Sequence, residues 1–281
     1  MGIGITYNGR EIVEVAKNGP AEEAGLKAGD KFVSVAGTDV RETPNAIKAL
    51  IQDAKDKTIS IVVEREEEEL TFDVEVRNVP SSVKYELKEN SIGYINIDIF
   101  SETLTNQVSN ALKDLEEKGM KKLIIDLRDN SGGYLDSAET TASLFLEKGK
   151  LIYSLEDKNK KEDYYDETEE HRTYPIVILI NEKSASSAEI LAAALKDSYG
   201  AVLVGEKSYG KGKVQQTIKL EDGSMAKYTS AKWLRPTGEC IDNKGLTPDY
   251  AASLTYETNE NGEQTVIDSQ LNKALEVIRA M

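Results

Sequence analysis

Histidine, cysteine and tryptophan are almost absent from this sequence, since each occurs once in 281 residues. A lone cysteine, Cys240, cannot form an intrachain disulfide, so bridges give no information about the redox compartment. A Ser-His-Asp triad would have to use His171, which lies in the polar segment Glu167–Arg172 and is expected on the solvated surface. Long apolar runs are missing too. None approaches the roughly 20 residues needed to cross a bilayer, and Met1-Gly2-Ile3-Gly4 does not resemble a signal peptide.

Positive charge is also in short supply. The chain has 35 Lys and Arg residues against 50 Asp and Glu residues, which gives a formal net charge of −15. Such a balance argues against a nucleic-acid backbone or an anionic lipid surface as the main partner. A neutral or cationic ligand, such as a polypeptide, is easier to accommodate.

The first part of the chain predicts a small β-rich domain over residues 1–78, which begins abruptly and is expected to be truncated at its N-terminus. Short apolar runs separated by turns that contain glycine or proline are typical of strands. Ala21–Gly25 and Asn45–Ala54 predict helices. The acidic tract Glu64–Glu69 is expected to be a solvated hairpin tip. The predicted strands are Ile12–Val15, Lys31–Val35, Ile59–Val63 and Leu70–Val74.

After a linker at Val79–Ser82, strands and helices alternate, which predicts an α/β core over residues 79–281. Val177–Ile180 is apolar on both faces, so helices are expected to cover the sheet on at least one side. The charged segment Asp157–Tyr174 is expected to be an exposed excursion. The predicted strands are Ile92–Phe100, Lys122–Leu127, Leu151–Leu155, Ile176–Ile180, Ala201–Val204, Val214–Leu220 and one more after a turn at Glu221–Ser224, and the predicted helices are Glu102–Lys118, Ser137–Glu147, Ser187–Ser198 and Asp268–Met281.

The stretch 205-GEKSYGKGKVQQ-216 has the glycine and lysine spacing of a phosphate-binding loop. Such a loop needs Ser or Thr after the lysine to hold magnesium, and a helix that begins there to cradle phosphates. Here Gly212 follows Lys211, and the next residues predict a strand. The nucleotide interpretation therefore fails on both requirements.

The stretch 181-NEKSASSAEILAAALKD-197 places small residues between an apolar strand and a helical run. Ser186 with Glu189 three residues later fits a capping box, which is an ordinary way to begin a helix. A serine at this position can also be a nucleophile, because the amides of the first helical turn can stabilise an oxyanion. The local sequence leaves both interpretations open.

A serine nucleophile needs a base, and Lys211 is the candidate. A lysine can act as a base when burial lowers its pKa until the neutral amine is populated near neutrality. Glycines on both sides of Lys211 let the backbone pack closely and bring the amine towards a neighbouring strand end. A lysine between glycines is, by itself, usually a surface turn.

In combination, 184-SASSAEILAAAL-195 and 201-AVLVGEKSYGKGKVQ-215 resemble the carboxyl-terminal processing peptidases, or tail-specific serine proteases. The family pattern places nucleophile and lysine twenty-five residues apart, and Ser186 and Lys211 keep that interval. The resemblance implies that Ser186 is the nucleophile, Lys211 the general base and Gln215 the amide that orients the lysine. A neutral glutamine can accept a hydrogen bond without holding the lysine in its charged form.

The string 125-IDLRDNSGGYLD-136 resembles the family stretch in which a glycine amide supplies half of the oxyanion hole. The resemblance carries this role to Gly132 or Gly133, with the Ser187 amide as the other half, and the sequence leaves both glycines open. A tight glycine turn after a strand is compatible with the same role.

The front domain resembles a PDZ module. 2-GIGI-5 stands at the carboxylate-binding loop, and 19-GPAEEAGLKAGDKFVSVAG-37 matches the turn-and-strand pattern. The resemblance implies a peptide-binding site at Gly2, Ile3, Gly4 and Ile5, where backbone amides would receive a terminal carboxylate. An extended peptide would add a strand beside helix Asn45–Ala54.

Together these motifs predict a multidomain α/β (α+β) protein, with a PDZ domain followed by a Clp-protease/crotonase-like protease core. The predicted function is a serine endopeptidase that recognises the free C-terminus of protein or peptide substrates, without a metal or organic cofactor. By resemblance it acts outside the cytoplasm, in the periplasm, the cell envelope or the medium. Any homo-oligomer would form through family segments that lie outside this sequence.

Two other classes of function remain open at this stage. One is a non-catalytic PDZ scaffold that binds peptides and never brings the serine and lysine together. The other is an acyl-thioester enzyme of the crotonase architecture, which would need a basic pocket for coenzyme A phosphates. No basic cluster in the sequence suggests such a pocket.

Overall fold

The chain divides into two compact units, Met1–Ser82 and Val83–Met281. Each unit has its own hydrophobic core. In the part of the chain described, no helix is long and apolar enough to cross a membrane. The residues that a computed structural model of the chain describes are 2–16, 19–77, 81–219, 225–258 and 264–281.

The N-terminal unit is a β-sheet with two short helices, which confirms the predicted β-rich organisation. Alternating side chains such as Phe32, Ile61 and Val63 are fully buried, as expected for strands with one face on a core. The acidic hairpin tip turns at Glu66 and Glu67, which are exposed. The elements are β1 (Ile5–Asn8), β2 (Glu11–Val15), α1 (Pro20–Ala24), β3 (Lys31–Val35), β4 (Thr38–Asp39), α2 (Ile47–Asp53), β5 (Thr58–Arg65) and β6 (Glu68–Glu75).

The strand order in this sheet is β1-β2-β3-β5-β6, with β4 paired to β3. β1 is therefore a terminal strand, and its outer edge has no strand partner among the described residues. The predicted helix Asn45–Ala54 begins as a 3₁₀ turn, Pro44–Ala46, before α2. An open strand edge is the feature that peptide addition requires.

The second unit alternates strands and helices as the sequence predicts. The turn predicted at Glu221–Ser224 and the linker residues Val79 and Pro80 lie outside the described residues. The elements are β7 (Val83–Lys88), β8 (Ile92–Ile97), α3 (Leu104–Glu117), β9 (Lys122–Asp126), α4 (Leu135–Ala142), β10 (Leu151–Glu156), β11 (Lys161–Tyr165), β12 (Ile176–Ile180), α5 (Ser187–Ala194), β13 (Val202–Gly205), β14 (Lys213–Lys219), β15 (Met225–Leu234), β16 (Tyr250–Ala251), β17 (Thr255–Thr258), β18 (Gln264–Ile267) and α6 (Ser269–Ala280).

Helices cover the central sheet, whose strand order is β16-β13-β12-β9-β8-β7, on both faces. Along β12, Ile178 belongs to the core under α3, α4 and α5, whereas Val177 and Leu179 belong to the core under α6. Because successive side chains of a strand point to opposite faces, a strand covered on both sides is apolar at every position. This confirms the expected cover and extends it to the second face.

The expectation for Asp157–Tyr174 was partly wrong. Lys161–Tyr165 forms β11, which pairs with β10 at one edge of a second sheet, in the order β11-β10-β15-β14. Tyr164 packs against the core and stacks on Tyr153, with ring centroids 4.5 Å apart. The charged residues of this strand have side chains that face solvent, while its backbone is hydrogen-bonded to β10.

Asp268 joins the start of α6 to the end of β9. Its carboxylate accepts a hydrogen bond from the Leu271 amide at 2.9 Å and lies 2.7 Å from Arg128 Nη1. Burial opposes the charged form, but Arg128 and the Leu271 amide outweigh it, so the pKa of Asp268 is below its ordinary value of 3.8. Such a group contributes stability above its unfolded pKa and loses it as pH falls through the folded pKa.

Replacing Asp268 with asparagine is therefore expected to lower the free energy of unfolding at pH 7 by about 1 kcal/mol, a figure reduced for partial exposure. The difference from wild type should shrink as pH falls below 3.8. Denaturation followed by the fluorescence of buried Trp233, the only tryptophan, measures it. A difference that stays constant between neutral and strongly acidic pH would contradict this role.

Candidate active site

Three neighbouring parallel strands deliver the predicted site residues from their carboxyl ends. β9, β12 and β13 lie side by side in the central sheet. The loop after β9 carries Gly132 and Gly133, the loop after β12 carries Ser186, and the loop after β13 carries Lys211. Crevices outside the carboxyl ends of parallel strands are common ligand sites.

Ser186 is the N-cap residue of α5, with φ 57° and ψ −121°. In a residue other than glycine this backbone conformation is strained and costs of the order of 1–3 kcal/mol. Such residues cluster at functional sites. A serine on a sharp strand-to-helix turn also exposes its hydroxyl group at the end of the sheet. The helix that begins at Ser187 has the positive end of its dipole beside Ser186.

The fully buried Glu189 connects Ser186 to the segment that carries Lys211. Its Oε2 atom accepts hydrogen bonds from the Ser186 amide at 3.0 Å and from the Lys211 amide at 2.9 Å. Its Oε1 atom accepts from the Ser208 hydroxyl at 2.5 Å and from the Gly210 amide at 2.7 Å. Because both amides bind Oε2, the backbone nitrogens of Ser186 and Lys211 lie within about 5.9 Å of each other, the sum of those two distances.

Glycine on each side of Lys211 lets its backbone pack tightly, as the sequence predicts. An added Cβ atom would lie 2.7 Å from Gly245 N at Gly210, and 2.6 Å from Asp242 N at Gly212. No side chain fits at such distances without a backbone shift. Both glycines are buried, whereas Lys211 itself is exposed.

No hydrogen bond among the described residues joins Ser186 Oγ to Lys211 Nζ, or Lys211 Nζ to Gln215. Gln215 is an exposed residue of β14 at an irregularity in the pairing with β15. The Lys211 carbonyl accepts a hydrogen bond from the Trp233 indole at 2.8 Å. The backbone of Lys211 is thus fixed near the backbone of Ser186, and the residue is exposed, which differs from the burial expected of a lysine base.

The two glycines of the predicted oxyanion hole differ in their hydrogen bonds. The Gly132 amide donates to Asn130 Oδ1 at 2.8 Å, whereas the Gly133 amide has no acceptor among the residues that the structure describes. An added Cβ at Gly132 would lie 2.8 Å from Ser186 Cβ. The Ser187 hydroxyl donates to the Gly133 carbonyl at 3.0 Å. The Ser187 amide opens the helix, so it has no intrahelical acceptor.

Asn130 is a site residue whose role the motif did not predict. Its side chain is fully buried and donates to the Ile97 carbonyl at 2.6 Å, while its backbone carbonyl accepts from the Ala185 amide at 2.9 Å. It therefore ties the glycine loop both to β8 and to the residue before Ser186. An asparagine between an apolar strand and a pair of glycines is the available sequence signal, and it does not reveal the hydrogen-bond partners.

Two further observations concern the single histidine and possible metal ligands. His171 is exposed, as the sequence predicts. In the described ranges, no group of three or more His, Cys, Asp or Glu side chains could hold a metal ion.

Some backbone groups of the predicted carboxylate-binding loop already form hydrogen bonds within the N-terminal unit. The Gly2 amide donates to the Arg77 carbonyl at 3.0 Å, so it is already bonded. Ile3 is buried, and its carbonyl accepts from the Ala21 amide at 2.8 Å. These bonds fix the loop against the rest of the N-terminal unit.

The remaining two loop residues lead into the open edge of β1. Gly4 has φ 77°, which favours glycine, and its carbonyl accepts from the Ala16 amide at 2.8 Å. The next pair, Ile5 with Val15, is then a non-hydrogen-bonded pair, because antiparallel pairs alternate. The backbone amide and carbonyl of Ile5 therefore face the open edge.

Comparison with known proteins agrees with this architecture. The sequence profile of peptidase family S41 matches residues 91–252, more than half of the chain, and a PDZ-domain profile matches residues 1–76. The chain therefore belongs to peptidase family S41. The predicted multidomain α/β fold with a PDZ domain is also confirmed.

Individual relatives have names that agree with this family. The carboxy-terminal processing protease CtpA of Bacillus subtilis (strain 168) is 38% identical, over 94% of this chain and 60% of CtpA. CtpB of the same organism is 35% identical, over 85% of this chain and 52% of CtpB. The solved photosystem II D1 C-terminal processing protease is 27% identical with a TM-score of 0.59, over 90% of this chain and 72% of that one. These matches confirm the resemblance to carboxyl-terminal processing peptidases, and the chain spans little more than half of the two Bacillus relatives.

Proposed function

We propose that this chain is a serine endopeptidase in which Ser186 is the nucleophile and Lys211 the general base. The observation that carries the proposal is the shared carboxylate oxygen, Glu189 Oε2, which bonds the backbone amides of both residues. Two positions 25 residues apart in sequence thereby converge at the carboxyl ends of adjacent strands. The base role also requires the Lys211 amine to come within hydrogen-bond distance of Ser186 Oγ.

In the proposed reaction, Ser186 Oγ attacks the carbonyl carbon of the scissile bond and its proton passes to the neutral amine of Lys211. The peptide C–N bond then breaks, and the leaving amine takes that proton from Lys211. Water attacks the resulting ester in a second cycle, in which Lys211 receives the proton of water and returns one to Ser186. Gln215 would orient the amine by accepting a hydrogen bond from it.

The developing oxyanion would be stabilised by the backbone amides of Gly133 and Ser187. Gly133 is favoured over Gly132, because the Gly132 amide already donates to Asn130. Amide donors fixed by buried partners need no reorganisation as charge develops, which is the source of their large effect in acyl transfer.

The PDZ domain would capture the C-terminal tail of a protein substrate. Its open edge at β1 and the outward-facing backbone of Ile5 support strand addition by an extended peptide. The same proposal includes three further points. The protein selects substrates with a free C-terminus, it acts outside the cytoplasm, and it can form a homo-oligomer. The two Bacillus relatives named as carboxy-terminal processing proteases support the first of these.

Tail recognition and hydrolysis can be tested together by mass spectrometry of peptide products. A substrate peptide with a free carboxyl terminus is expected to be cleaved about tenfold or more faster than the same peptide with an amidated terminus, because the lost charge-assisted hydrogen bonds weaken capture. Equal cleavage of both peptides would remove tail recognition and leave hydrolysis standing.

One observation favours the second candidate, a non-catalytic peptide-binding scaffold. The exposed Lys211 amine makes no hydrogen bond to Ser186 among the described residues. A scaffold would bind the free-tailed peptide and return it uncut, whereas the proposed peptidase yields two fragments. The same mass spectra therefore separate the two candidates.

A further inference from the structure

The carboxylate of Glu189 is the most fully hydrogen-bonded buried group near the proposed catalytic pair. We propose that Glu189 is a positioning residue, which keeps the Lys211 segment in the register that lets its amine reach Ser186. The inference rests on the proposed serine-lysine chemistry and adds a residue whose carboxylate accepts hydrogen bonds from backbone amides and the Ser208 hydroxyl, not from the reacting atoms.

This carboxylate accepts four hydrogen bonds and gives none. An ionised carboxylate only accepts, and has room for about four donors. Glu189 receives the Ser186, Gly210 and Lys211 amides and the Ser208 hydroxyl, at distances from 2.5 to 3.0 Å. Its exposed fraction is 0%, and no Lys, Arg or His side chain pairs with it among the described residues. Backbone dipoles and one hydroxyl group therefore solvate its charge.

A helix cap alone would not need this arrangement. The capping function is fulfilled by the Ser186 amide, three residues before Glu189. The other three donors come from the segment 208–211, which follows Glu189 by 19 to 22 residues. Ser208 extends the network further, since its hydroxyl oxygen accepts from the Leu246 amide at 2.6 Å. Glu189 thus joins three separate segments around the proposed lysine.

The hydrogen bonds to Glu189 determine the register of the Lys211 segment. A buried amide without an acceptor is strongly disfavoured, so the Gly210 and Lys211 amides are free to move only if another acceptor replaces Glu189. A displacement of about 1 Å between reacting groups can cost about 100-fold in rate. Loss of this carboxylate should therefore affect the chemical step and leave peptide capture unchanged.

The test is Glu189→Gln, with kinetics and hydrogen exchange measured on the same protein. Glutamine has a side chain of the same length, but its NH2 group replaces one oxygen. That group cannot accept hydrogen bonds, so two of the four donors lose their acceptor. We expect kcat to fall about 100-fold with KM unchanged, and the segment 206–212 to exchange its amide hydrogens faster. Asp166→Asn is the matched control, because Asp166 is a buried carboxylate that accepts from the Thr168 amide at 3.1 Å, away from the site. Its kcat should equal that of wild type.

A milder variant keeps the proposal testable if Glu189→Gln does not fold. Ser208→Ala removes one donor and leaves the carboxylate in place, so kcat is expected to fall about tenfold with KM unchanged. A kcat within twofold of wild type in both variants, or the same kcat loss in Asp166→Asn, would overturn the positioning role.

The exchange measurement separates this inference from the proposed function. If wild type fails to cleave but Glu189→Gln still accelerates exchange at 206–212, the peptidase proposal fails and Glu189 still positions the segment. If wild type cleaves and exchange at 206–212 is unchanged in Glu189→Gln, the positioning role fails alone.

Discussion

Replacing Ser186 with alanine is expected to reduce peptide hydrolysis by about 10⁶-fold, since loss of a serine nucleophile removes the covalent route. The fold should survive, because the backbone amide that binds Glu189 is retained. The expected loss of stability is at most about 1–2 kcal/mol. Turnover of a free-tailed peptide and thermal unfolding, measured on the same preparation, check both parts.

Ser186→Gly is the matched control for strain at this position. Glycine adopts φ 57° and ψ −121° without the cost that a Cβ atom brings. The glycine variant should be as inactive as the alanine variant, yet more stable than it by about 1–3 kcal/mol. Turnover close to that of wild type in either variant would remove the nucleophile assignment, and an alanine variant as stable as the glycine variant would remove the claim of strain.

Replacing Lys211 with arginine is expected to lower kcat by about 10²–10⁴-fold, the usual contribution of a general acid and base. Arginine keeps the positive charge, but a guanidinium cannot release its proton in a protein and so cannot accept one from Ser186. The hydrogen bonds of Lys211 to Glu189 and Trp233 use its backbone, so the segment should keep its conformation. Steady-state kinetics with a tailed peptide measure the effect.

Lys213→Arg provides the comparison for this variant. Lys213 lies two residues further along, and its amine pairs with Asp242 at 3.0 Å. An arginine can keep that ion pair, so turnover should match that of wild type. Wild-type turnover in Lys211→Arg would exclude the lysine as the base, whereas equal losses in both variants would indicate a general intolerance of arginine in this loop.

Strands with apolar residues on both faces could be predicted to the residue. Ile176–Ile180 and Lys31–Val35 have the bounds that the sequence predicts. Val83–Lys88 was missed as a strand: it lies at the edge of the central sheet, and four of its six residues are exposed. Edge strands bury less apolar surface, so their pattern resembles that of a loop.

The end of α4 depends on contacts that are distant in sequence. Helical spacing predicted Ser137–Glu147, but the helix ends at Ala142. The carbonyls of Leu144 and Phe145 accept hydrogen bonds from Arg172, which lies far along the chain. Local propensity cannot include such a partner.

The sequence names candidate residues for the site, but it does not predict the hydrogen bonds that connect them in the structure. The spacing of Ser186 and Glu189 predicted the local bond that the structure contains, but not the donors that Glu189 receives from the Lys211 loop. Flanking glycines predicted the close packing of the Lys211 backbone. The sequence leaves its side chain open between a surface turn and a buried base, because the rotamer of a long flexible residue depends on what surrounds it in three dimensions.

The reactivity of Ser186 towards a fluorophosphonate, located by peptide mapping, tests the central claim most directly. The account predicts one covalent adduct on Ser186 in wild type, formed about 10²–10⁴-fold more slowly in Lys211→Arg. An adduct on a different serine, or equal labelling rates in the two proteins, would contradict the assignment of these two residues as nucleophile and base.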